Sequence, residues 1–111
     1  MSAPLHLSLC YAACDADTLT EAHLRSAARA AFEAMGWRAA LSAHRWEPQG
    51  LSLMLVADEA TLILHTWPEL GCVLADLMLL TGGDAEALMR AFGEHAALPG
   101  AAVHRSVRGG T

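Results

Sequence analysis

A chain of 111 residues with a formal charge of −5 and 54% apolar residues has room for a single domain around one core. The acidic balance argues against nucleic acid as the default partner, because neutralising phosphates takes clustered basic residues. No window approaches the roughly 20 apolar residues that span a bilayer, and the first basic residue, Arg25, follows Asp15 and Asp17, so a cytoplasmic protein with no targeting segment and no membrane contact is expected.

Leu5 to Tyr11 alternates apolar residues with His6, Ser8 and Cys10, the pattern of a half-buried strand. Thr18-Leu19-Thr20-Glu21 matches a capping box, and Ala22, Ala27, Ala28, Ala31, Phe32 and Met35 follow near helical spacing until Gly36, which is placed to end the helix in a left-handed conformation. Trp37 to Trp46 reads as a second strand, Pro48-Gln49-Gly50 as a turn, and Leu51 to Ala57 as a third strand. Asp58-Glu59 connects it tightly to a strand over Thr61 to Thr66, predicting a hairpin. Pro68 to Gly71 breaks the ladder before a strand from Cys72 to about Leu80. Asp84 is a candidate cap for a helix over Ala85 to Ala96, Ala101 to Val107 is a last short strand, and Arg108 to Thr111 is a frayed tail.

Two helices and a mainly antiparallel sheet imply an α+β two-layer sandwich with both helices on one face. The core should be mostly Leu, Ala and Val. The runs Leu51 to Ala57 and Cys72 to Leu80 are apolar on both parities, so the other sheet face needs a cover, and a second subunit packed sheet to sheet is the natural one.

The titratable residues narrow the chemistry. All seven basic residues are Arg, so no lysine amine is present to hold pyridoxal phosphate as an aldimine. Cys10, Cys14 and Cys72 are odd in number without CxxC spacing, which fits small apolar fillers in a reducing compartment. The histidines lack metal-ligand spacing, and no metal site is expected.

His65-Thr66-Trp67-Pro68-Glu69, with Glu59-Ala60-Thr61 before it, resembles the self-processing segment of the prokaryotic, pyruvoyl-dependent S-adenosylmethionine decarboxylases. There the run reads Glu-Ser-His, three residues, then His-Thr-Trp-Pro-Glu. His6-Leu7 with Cys14-Asp15, His44 to Ser52, Asp76, and Arg108-Gly109 resemble further family segments in the same order.

The resemblance implies that family's α+β fold, and for its chemistry a serine that attacks the preceding carbonyl and becomes the pyruvoyl electron sink. That serine falls on Ala60 and the next His on Thr61. A methyl group has no hydroxyl to attack with, so no pyruvoyl cofactor is formable at Ala60. Thr61 is one residue off and points to the opposite face of a strand. The family's catalytic Cys falls on Leu80, or by other registers on Thr81 or Gly82, and is missing in each.

Ser52 and His65 match residues that assist self-cleavage, Trp46 replaces an aromatic that stacks on adenine, and Glu69 matches a carboxylate that contacts ribose. Each also has a plain structural reading: His65 as a hydrogen-bonded strand histidine, Trp46 and Trp67 as wedges at a sheet edge, Glu69 as a solvated turn residue. Three functions follow from the resemblance. One is a non-cleaving pseudoenzyme of polyamine (spermidine) biosynthesis, a homodimer or a heterodimer with an active paralogue. Another is a sensor that binds S-adenosylmethionine or an amine at Trp46, Trp67 and Glu69. The last is a decarboxylase with altered chemistry.

Overall fold

The computed structural model describes residues 5–46, 50–80 and 84–98, and the backbone of 101–107. The elements run β1 (Leu5–Tyr11), α1 (Glu21–Ala34), β2 (Ala40–Arg45), β3 (Leu51–Val56), β4 (Ala60–Trp67), β5 (Cys72–Leu79), α2 (Ala85–Ala96) and β6 (Ala101–Val107), with short 3-10 turns at Ala16–Leu19 and Pro68–Leu70. One six-stranded sheet has the order β2-β3-β4-β5-β1-β6, and each neighbouring pair is antiparallel.

Period-2 patterning sorts the sheet into two faces. Leu7, Leu9, Leu53, Leu55, Leu62, Leu64, Val73, Ala75 and Leu77 are buried on one face. Leu24, Ala27, Ala28, Ala31 and Phe32 of α1 and Leu88, Met89, Phe92 and Ala96 of α2 cover that face. The alanines bring helix and sheet close together, and the core is mostly Leu and Ala, with Phe32 and Phe92 its largest buried side chains; among the described residues Val73 is the one buried valine. The opposite face carries none of the described helices. Its side chains, including Met54, Ile63, Leu74 and Met78, are half-buried or exposed.

Asp84 caps α2 as expected, accepting from the Ala87 N–H at 3.0 Å. For α1 the cap is Thr20, whose hydroxyl accepts from the His23 N–H. Thr18 instead donates to the Asp15 carbonyl at 2.6 Å within the preceding 3-10 turn, so the capping-box reading was displaced by one local turn. The start shifts the buried stripe as well: Leu24 is in the core and Ala22 is exposed. Gly36 ends α1 at φ +77°.

β2 starts at Ala40 rather than Trp37. Trp37 is held at the helix end, its N–H on the Phe32 carbonyl at 3.0 Å and its indole edge-on to Phe32 at 5.8 Å. β3 and β4 form the expected hairpin about Asp58-Glu59, closed by Ala57 N–H to Ala60 carbonyl at 2.9 Å. The expected turn at Pro48-Gln49, the segment Thr81-Gly82 and the Arg108 to Thr111 tail lie outside the described residues. None of the described helices is long and apolar enough to cross a membrane.

Candidate functional site

The β3–β4 register sets Ser52 directly opposite His65. Both side chains fall on the helix-free face, because Leu51, Leu53, Leu64 and Thr66 take the core parity. Ser52 Oγ lies 2.8 Å from His65 Nδ1, and the Trp46 indole N–H donates to the same oxygen at 2.8 Å. An indole only donates, so Ser52 accepts from Trp46 and its own proton is free for His65 Nδ1.

Trp46 is positioned by backbone as well as by Ser52. Its N–H bonds the Gly50 carbonyl at 3.0 Å. Gly50 has φ +122°, a conformation L side chains rarely adopt, and a Cβ there would sit 3.4 Å from the Thr66 carbonyl. Trp46 is thus tied to the start of β3 by its backbone N–H and by its indole N–H. His44 packs edge-on against Trp46 at 4.2 Å between centroids, and Trp67 follows His65 along β4 with centroids 6.2 Å apart.

Pro68 ends β4 and starts the 3-10 turn that carries Glu69, which is exposed. Trp46, Ser52, His65, Trp67 and Glu69 line a cleft of about 470 Å³ together with Gly50, Leu51 and Thr66. That volume suits a small organic ligand. Two indoles offer stacking surface, Ser52 and His65 offer hydrogen bonds, and Glu69 offers negative charge.

The other candidate residues are elsewhere. Ala60 is completely buried on the helix side, paired in register with Leu79. Thr61 lies on the same face as His65 but four residues away, about 13 Å along the strand, and Ala60 is about 16 Å away and faces the other side. Leu80, 49% exposed, joins the Ala60 end through its N–H to the Glu59 carbonyl at 2.8 Å. Ala60, Thr61 and Leu80 therefore form one end of the sheet and Ser52 and His65 the other. Read as a sequence these five form a single vestigial set; within one chain they do not meet.

Asp76 belongs to a third group: it accepts from Ser8 Oγ at 2.6 Å and pairs with His6 Nε2 at 3.2 Å on the helix-free face. His23 ties α1 to α2, its Nε2 2.6 Å from the Ala96 carbonyl at the end of α2. Among the described residues no three His, Cys, Asp or Glu side chains could hold a metal ion. Sequence reasoning missed Thr66 in the cleft lining and His44 as the support of Trp46. The spacing of residues 44 and 46 on one strand parity was the available signal for the latter.

The family profile described as S-adenosylmethionine decarboxylase matches residues 5–109. The chain is 41% identical over 56 residues to an S-adenosylmethionine decarboxylase proenzyme of Carboxydothermus hydrogenoformans, covering 50% of this chain and 42% of that protein. It is 36% identical over 66 residues to the proenzyme of Acetivibrio thermocellus, covering 58% and 53% respectively. The match thus spans about half the length of these relatives. The crystal structure of the adenosylmethionine decarboxylase from Aquifex aeolicus superposes with a TM-score of 0.81 at 19% identity, covering 99% of this chain and 93% of that one, and shares its fold. By sequence profile and by fold, the chain belongs to the S-adenosylmethionine decarboxylase family.

Proposed function

We propose that the protein is a non-cleaving member of this family that serves polyamine biosynthesis by binding rather than by decarboxylation. The observation that carries the reading is Ala60: the position matching the family's serine bears a methyl group with no exposed surface. Without a hydroxyl there is no attack on the preceding carbonyl, no chain break and no pyruvoyl group. Intact-mass measurement after prolonged incubation tests it directly. One full-length species is expected, and two fragments, or a new terminus that reacts with hydrazine, would refute it.

The cleft favours a ligand-binding role for this non-cleaving chain. An adenosyl compound would stack between Trp46 and Trp67, with Glu69 taking hydroxyls or an amine and the Ser52–His65 pair taking a polar tail. Calorimetric titration with S-adenosylmethionine tests this, and absence of heat at millimolar ligand would remove it.

A second copy of the chain completes the proposal. Met54, Val56, Ile63, Leu74 and Met78 leave an apolar helix-free face that no described element covers. A two-fold partner packed sheet to sheet would bury that face. Sedimentation analysis distinguishes dimer from monomer.

A further inference from the structure

We infer that Cys10 and Cys72 are a reversible oxidation site whose closure moves the turn carrying Glu69. Their sulfurs lie 3.6 Å apart, already in contact. Cys10 is opposite Leu74 on β5, and Cys72 is opposite Trp67 on β4, so the two cysteines are diagonal neighbours on the helix-free face where β1 ends and β5 begins. Both are partly exposed, unlike Cys14, which is buried with its sulfur on the Tyr11 carbonyl.

Diagonal strand neighbours have Cα atoms about 7–8 Å apart, whereas a disulfide usually spans about 4.4–6.8 Å between Cα atoms. Closing the bond therefore draws the start of β5 toward β1. Cys72 directly follows Gly71, whose carbonyl holds the Cys14 N–H at 2.9 Å and whose N–H closes the Pro68–Leu70 turn. Movement at Cys72 is thereby passed to Glu69 and, through register, to Trp67.

The oxidant is a small disulfide such as oxidised glutathione. Cys10 as thiolate attacks one oxidant sulfur, and the first small thiol leaves. Cys72 then attacks the Cys10 sulfur of the mixed disulfide, and the second small thiol leaves. The two protein sulfurs lose two electrons, the oxidant gains them, and the two thiol protons end on the released thiols. Burial and the Cys10 contact push the Cys72 thiol up, so less of it is thiolate, and closure rests on the 3.6 Å approach of the two sulfurs.

The test is incubation of the full chain with oxidised glutathione, at a concentration low enough to keep it monomeric, followed by alkylation of the remaining thiols and peptide mapping. The expected result is loss of two thiols, a Cys10–Cys72 cross-link retained in Cys14→Ser, and a free Cys14 in the parent chain. In the oxidised protein, amide exchange over residues 69–72 should slow by about tenfold. A lasting glutathione adduct on Cys10 or Cys72, a bond through Cys14, absence of reaction, or unchanged exchange over that turn would overturn the inference.

Discussion

Ser52 and His65 face each other across the β3–β4 ladder, hydroxyl to imidazole at 2.8 Å, with Trp46 fixed onto the same oxygen. Breaking either bond should weaken ligand capture. His65→Ala is expected to reduce affinity for S-adenosylmethionine by about tenfold, the value of one good hydrogen bond. Ser52→Ala should do the same and also free the Trp46 indole, seen as changed tryptophan fluorescence without ligand. Calorimetry and fluorescence check both.

Ala60→Ser alone should leave the chain whole in monomeric protein. The new hydroxyl would lie in the Leu-lined core, where an unpartnered polar group costs about 1–2 kcal/mol. His65 is about 16 Å away on the other face. Intact mass and denaturant unfolding measure the two effects, and fragments at concentrations too low for association would contradict the separation of the two ends.

Met54→Lys probes the helix-free face. Met54 is 40% exposed, so monomer stability should change by less than about 0.5 kcal/mol. Self-association should weaken by at least about tenfold, since a lysine would be buried against apolar surface. Sedimentation across a concentration series gives both answers.

Tyr11 makes stability depend on alkaline pH. Burial, with a smaller contribution from Cys14, pushes its phenol up from 10.0 to about 12. The folded state thus holds the proton more tightly than the unfolded chain. The stabilisation is complete below pH 10.0 and lost as pH rises through about 12. Thermal unfolding midpoints should fall across that window, and Tyr11→Phe should flatten the decline.

Gly93 sits inside α2, where a Cβ would lie 3.6 Å from the Tyr11 hydroxyl, ordinary contact. Gly93→Ala should therefore stabilise the protein by about 0.5–1 kcal/mol through helix propensity, measured by urea unfolding.

Most of the architecture was readable in one dimension. The strand–helix–four strands–helix–strand order, the β3–β4 hairpin and the bounds of α2 and β6 follow from periodicity and punctuation, which are local. The errors fell where one local signal competed with another. Thr18 satisfied a capping pattern but bonded its own 3-10 turn. Trp37 had strand character but packed against Phe32 at the helix end. Cys10 and Cys72 showed no sequence pairing, because their contact depends on β1 lying beside β5.

The residues alone determined the absence of a hydroxyl at position 60, of a thiol at position 80 and of any lysine amine, because these are facts of composition that no folding alters. Where those positions stand relative to Ser52 and His65 belonged to the tertiary structure. Strand parity turns Ala60 to the core, and register places Ser52 beside His65 at the other end of β4. Nearness in sequence along an extended strand is distance in space, and only the pairing of strands decides which side chains meet.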